Sequence, residues 1–161
     1  ISDCVLLIET TTGLQGCYGD DVHHRIDEES TALAKTFFDQ GMGFDEVRPL
    51  ILDKIREGRA MANCDAGYWV FGVRPGFLPH LDIQEFNVAE GAHAMIMSDG
   101  LYRLVEMFGK YDDASLLEAA KTKGLRALYD ELRDIETADH MGHQYARLKQ
   151  FDDVSAQLLR F

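Results

Sequence analysis

The stretch HAMIMSDGLYRLVE, residues 93 to 106, decides how the chain is read. Ala94 to Met97 is a short apolar run with strand character. It stops at Asp99 and Gly100 and passes directly into a helical period. A carboxylate at the end of a buried strand is costly unless something compensates it. A helix-capping turn would do so. A cation would do so too, if a second acid arrived from another strand.

Two further acids sit at strand ends. FDDVSAQLLRF, residues 151 to 161, puts Asp152 and Asp153 immediately before a closing apolar strand, and ISDCVLLIE puts Asp3 just ahead of Val5 to Ile8. Aspartates at the mouths of adjoining strands can meet on one rim of a sheet. Oxygen-only donors of that kind suit hard cations such as Mg²⁺ or Mn²⁺. Each motif alone also reads as ordinary turn chemistry, and spacing does not fix the order of the strands.

The remaining pattern is α+β and largely antiparallel. Val5 to Ile8 and Leu14 to Tyr18 read as strands joined by the TTTG turn. DEESTALAKTFFDQG (27 to 41) and FDEVRPLILDKIREG (44 to 58) read as helices, the second tolerating Pro49 only near its first turn. GYWVFGV (67 to 73) and IQEFNVAE (83 to 90) read as strands from aromatic, β-branched or alternating content. A helical run begins at Leu101, restarts on Asp112 or Asp113, breaks at Gly124 and carries the stripe Leu125, Leu128, Tyr129, Leu132, Ile135.

Length and composition narrow the class. The 161 residues suffice for one core, and a net charge of −12 argues against a nucleic-acid surface. No apolar run approaches the roughly 20 residues of a membrane span. Three cysteines, Cys4, Cys17 and Cys64, have no framework spacing and read as reduced cytoplasmic thiols. The opening ISDCVLLIE starts directly in a strand, so the chain reads as a piece of a longer protein.

MIMSDGLYRLVE, a helical insert and a terminal DDVSAQLLRF together resemble the C-terminal half of the metal-dependent protein Ser/Thr phosphatases of type 2C. ISDCVLLIETTTG resembles the Gly-Asp-Ser strand and hairpin of that family, and REGRAMANCDAGYWVFG (56 to 72) resembles a stretch of its bacterial members. The resemblance runs from residue 1 to residue 161, and its specificity lies in the order of three Asp-containing motifs.

It implies an antiparallel β-sandwich flanked by helices, present as a partial domain, and phosphoester hydrolysis at a dinuclear Mg or Mn site holding two or three ions. Asp99 and Asp152 match metal ligands, and Asp3 matches an acid of a further, weaker metal. Asp153 and Gly100 match supporting positions beside those ligands. No catalytic side chain beyond the ligands and no substrate-binding residue is assigned. Ser2, Cys4 and Val5 depart from the family's usual glycine, serine and arginine, which weakens the case for Asp3. QGMGFDE (40 to 46) lacks the acid of the family's early Asp-Gly motif and does not replace it.

The implied substrate is a phosphoserine or phosphothreonine protein. The implied partner is a missing N-terminal half carrying the other metal motifs, without which the chain is expected to be inactive. An exposed sheet could also pair copies of the chain. Two rival readings remain. One is a non-catalytic phosphatase-like regulatory or binding module. The other is a metal site on ADHMGHQ (138 to 144), using Asp139, His140 and His143. Arg59 and Asn63 could face a phosphopeptide or simply end a helix.

Overall fold

The computed structural model describes residues 4–72 and 75–161. The chain divides into two compact units. Gly19–Asp82 with Glu136–Phe151 make one, and Cys4–Tyr18, Ile83–Ile135 and Asp152–Phe161 make the other.

The second unit is built on a sheet of β1 (Val5–Thr10), β2 (Gly13–Cys17), β3 (His93–Met97) and β4 (Ala156–Arg160). Their order is β2-β1-β3-β4 and every pairing is antiparallel. Thr11 and Thr12 make the hairpin turn, closed by Thr10 Oγ1 donating to the Gly13 carbonyl at 2.7 Å. Gly13 has φ +124°, a value that a side chain there would strain.

Register decides what shares a face. Val5 pairs with Met97 and Met97 with Ala156, while Leu7 pairs with Met95 and Met95 with Leu158. Val5, Leu7, Met95 and Met97 are buried, and α3 (Asp99–Glu106) packs against β3. The opposite face carries Leu6, Ile8, Ala94, Ile96 and Leu159. Ile8 and Ala94 are buried there, whereas Ile96 and Leu159 are exposed.

The helical run takes the predicted form: α3, then α4 (Asp113–Lys123), then α5 (Leu125–Ala138). Asp112 caps α4 by accepting from the Ser115 amide at 2.8 Å. Gly124 separates α4 from α5 at φ +83°. Leu128 and Leu132 of the predicted stripe are fully buried.

The first unit holds α1 (Asp21–Phe38) and α2 (Phe44–Ala60), packed through Ala34, Phe38, Val47 and Ile51. Helix α1 begins six residues before the predicted start. Asp20 caps it by accepting from the Val22 and His23 amides at 2.8 and 3.2 Å. Pro49 lies beyond the first turn of α2, contrary to expectation, and the helix continues through it to Ala60. The adjacent Leu50 faces solvent instead of joining the apolar side.

Two predicted strands do not form among the described residues. Within 67 to 72 there is only a single bridge, Tyr68 to Ala62. The Asn63 amide donates to the Tyr68 carbonyl, and Asn63 Oδ1 accepts from the Val70 amide at 2.9 Å. Asn63, at φ 59°, thus satisfies these backbone groups with a turn where a strand ladder would otherwise be needed. Trp69 stacks on His80, at 3.6 Å between ring centroids, and is only half-buried. Residues 83 to 90 run irregularly, tied to the hairpin by Thr11 N donating to Asn87 O and by Cys17 Sγ donating to Gln84 Oε1. Ile83 is 82% exposed while Phe86 and Val88 are half-buried, so the alternation turns one face inward without a strand ladder.

Candidate functional site

The β-register brings two of the three acid motifs to one rim. Met97 at the end of β3 faces Ala156 at the start of β4. Ser98 and Asp99 therefore leave the sheet beside the segment that carries Asp152 and Asp153 into it. The junction is tight. Ser98 N donates to Ser155 O at 2.9 Å, Ser155 N to Ser98 Oγ at 3.1 Å, and Ser98 Oγ to Asp153 O at 3.3 Å.

Gly100 explains why the two turns can approach. A Cβ at this position would lie 2.2 Å from the Asp153 carbonyl oxygen and 3.5 Å from Asp152 Cβ. Only a residue without a side chain fits, so Gly100 is a contact residue between the two acid motifs.

Asp99 is the first residue of α3, with Ser98 at the N-cap position, and is half-buried. Its charge sits where the helix dipole favours an anion. Asp152 is held more firmly. Arg103 Nη2 donates to its Oδ2 at 2.5 Å, with both side chains 11% exposed. The Asp153 amide donates to its Oδ1 at 2.9 Å. Arg133 Nη2 donates to its backbone carbonyl at 2.7 Å and stacks over Tyr129. Asp153 itself is exposed.

The Arg103 contact was not foreseen from the sequence, but a signal for it exists. Arg103 lies between Leu101 and Leu104, both buried, and four residues after Asp99 on the same helix. A guanidinium placed inside an apolar helix face requires a carboxylate partner.

A second polar cluster lies beside α3. Asp113 at the start of α4 accepts from the Tyr102 hydroxyl at 2.8 Å and from the Tyr18 hydroxyl at 2.5 Å. Burial, then the Asp113 carboxylate, push the Tyr102 phenol well above its ordinary range. For Tyr18 the hydrogen bond to Asp113 leads and burial adds to it. Both phenols stay protonated donors at any ordinary pH.

Asp3 falls outside the described residues. The His140 and His143 alternative loses its acid: Asp139 accepts from Arg147 Nη1 at 2.7 Å and from the Gln144 and Tyr145 amides. Asn63 spends its side-chain oxygen on the turn at Val70, and Arg59 is exposed. The three cysteines are free thiols. Among the described residues, no three His, Cys, Asp or Glu side chains group closely enough to hold a metal ion. None of the described helices is long and apolar enough to cross a membrane.

No family model, no curated protein and no solved structure matches this chain.

As a donor set, Asp99 and Asp152 have the chemistry a hard divalent cation requires, and the Gly100 contact puts their turns side by side. They amount to part of a cage. The remaining donors would have to come from elsewhere.

Proposed function

We propose that this chain is the C-terminal portion of a metal-dependent Ser/Thr phosphatase of type 2C, contributing Asp99 and Asp152 to a dinuclear Mg²⁺ or Mn²⁺ site. The observation that carries this reading is the meeting of the two acid motifs at the β3–β4 mouth, with the bare Gly100 against Asp153. A cation pair bound there supplies an acidified water and neutralises charge on a phosphoryl group. This chain's own part is to present carboxylate oxygens: Asp99 from the start of a helix, Asp152 from a segment locked by Arg103 and the Asp153 amide.

The two-sheet sandwich belongs to the same proposal. A second sheet would cover the face that leaves Ile96 and Leu159 exposed. The substrate of that enzyme would be a phosphorylated serine or threonine on a protein.

The non-catalytic reading has one observation in its favour. Asp152 already has a cationic partner in Arg103, so the rim is electrically satisfied without metal. Hydrolysis of p-nitrophenyl phosphate separates the two. The 161 residues alone are expected to be inactive with Mn²⁺. Joined to the protein sequence encoded upstream, they should hydrolyse it. Asp99→Asn should then lower the rate by at least roughly 100-fold, the upper end of what losing a mere supporting partner of a metal ligand costs. Equal rates for parent and variant would remove Asp99 from the site, and no hydrolysis by the longer protein would favour the binding module.

A further inference from the structure

We propose that the outer edge of β4 is a self-association surface, on which a second copy of the chain adds its own β4 antiparallel, with the two-fold axis at Gln157. The inference does not depend on the metal reading.

β4 is the last strand in the sheet order. Ser98 N donates to Ser155 O, and Phe161 N to Ala92 O. Ser155, Gln157, Leu159 and Phe161 therefore turn their amides and carbonyls towards β3, and alternation turns those of Ala156, Leu158 and Arg160 outward. Among the described residues, none bonds these outward groups. The usual protections of an edge are missing too. β4 has no proline, no bulge breaks its register on β3, and its charge is confined to Arg160 at the end. The other edge strand, β2, is weakened by Gly13 and Gly16, and its Cys17 thiol already bonds Gln84 of the segment beside it.

Charge identifies the occupant. Asp152 and Asp153 precede the strand and Arg160 closes it. Antiparallel self-pairing brings the acidic entry of each copy to the basic exit of the other, whereas parallel pairing would gather like charges. The edge is complementary to itself. The register follows from the same asymmetry. Burial alternates from Phe151 to Leu159, with Asp152, Val154, Ala156 and Leu158 half-buried, so the extended course begins ahead of β4. With Gln157 opposite Gln157, Ala156 faces Leu158 and Val154 faces Arg160 of the second copy. Centring on Leu158 would set Arg160 against Ala156, a step further from the acids. Centring on Ala156 would draw in Asp152, which Arg103 and Arg133 already hold.

Sedimentation equilibrium and amide hydrogen exchange, each over a range of concentrations, test the pairing on the chain as it stands. The parent should dimerise as concentration rises. The Ala156, Leu158 and Arg160 amides should gain protection in step with the dimer, whereas those of Gln157 and Leu159 should be protected throughout. Ala156→Pro is tolerated at the first residue of a strand and leaves the β3 ladder intact. It removes an outward donor from each copy and should weaken the dimer about tenfold or more. Arg160→Glu should weaken it as well. Gln157→Cys should cross-link to its own copy under oxidised glutathione, because facing residues of this kind lie about 4.5 Å apart between Cα atoms. Leu159→Cys should not, and the parent, with its three thiols, is the background. A monomer at every concentration, with unprotected edge amides, would leave the edge to a strand of another polypeptide and overturn the proposal. So would a dimer indifferent to Ala156→Pro and Arg160→Glu, or one linked through Leu159→Cys and not Gln157→Cys. Should Ala156→Pro fail to fold, Arg160→Glu and the cross-links decide.

Discussion

Replacing Arg147 by alanine should destabilise the helical unit by about 3–5 kcal/mol, the usual result of leaving one member of a buried ion pair behind. Arg147 is 1% exposed and is fixed on every side. Nη1 donates to Asp139 Oδ2 at 2.7 Å and to the Tyr145 carbonyl at 2.8 Å. Nη2 donates to the Asp139 and Glu136 carbonyls at 2.9 and 3.2 Å, and Nε to the Gln150 carbonyl at 3.1 Å. The guanidinium carbon also lies 4.8 Å from the centre of the Phe44 ring. Truncation strands these carbonyls and leaves the Asp139 charge buried.

Whole domains are stable by about 5–15 kcal/mol, so a loss of this size approaches unfolding. Arg126, paired with Asp130 but 82% exposed at the side chain, makes a fair control, and its alanine variant should change stability little, as solvent-screened surface pairs do. Urea denaturation followed by circular dichroism measures both. Equal losses would show that the Arg147 contacts do not hold this unit together.

The same cluster predicts a direction with pH. Burial by itself raises the Asp139 carboxyl. The Gln144 amide, the Arg147 guanidinium and the Tyr145 amide outweigh burial and bring it below the ordinary carboxylate range. A lowered folded value means that the stabilisation is complete above the unfolded value of about 3.9 and fades as pH falls through the folded one. The parent should therefore lose stability in acid more steeply than Arg147→Ala, which has less to lose.

Gly100→Ala is the second large effect. A methyl group would stand 2.2 Å from the Asp153 carbonyl oxygen and 3.2 Å from its carbon. Those are backbone atoms, held in place by the Ser98–Ser155 hydrogen bonds at the end of the β3–β4 ladder. No side chain can swing away to relieve the overlap, so the turns must part. Overpacking of this kind costs about 1–3 kcal/mol. The thermal midpoint should fall, and any response to Mn²⁺ should fall with it, because separating the turns separates Asp99 from Asp152. An unchanged midpoint would mean that the approach at Gly100 is not needed.

Much of this was legible in the sequence, and for definite reasons. The strands β1, β3 and β4 combine an apolar run with a breaker at one end, and the helices carry a 3.6-residue period or a capping acid. The meeting of the Asp99 and Asp152 turns could be framed from Asp-Gly and Asp-Asp at strand mouths, but it needed the register of β3 on β4 to become a geometry.

The misreadings at 67 to 73 and 83 to 90 share a cause. Aromatic or alternating composition signals a surface that could pack, not a ladder that exists. Asn63 and the Thr11 amide satisfy nearby backbone groups in other ways. Arg103 and Arg147 are buried although charged residues are usually solvated. The apolar neighbours of Arg103 signal that it needs a carboxylate, but not that the carboxylate comes from the distant Asp152 segment.

The rim itself is tested most directly by titrating Mn²⁺ into the nitrogen-labelled chain and following amide resonances, since the paramagnetic ion broadens signals near the place it binds. The amides of Gly100, Leu101, Asp153 and Val154 should broaden first, and Asp99→Asn should suppress the effect. Broadening that begins at His140 and His143, or a pattern indifferent to Asp99→Asn, would contradict a cation site shared by the two aspartate turns.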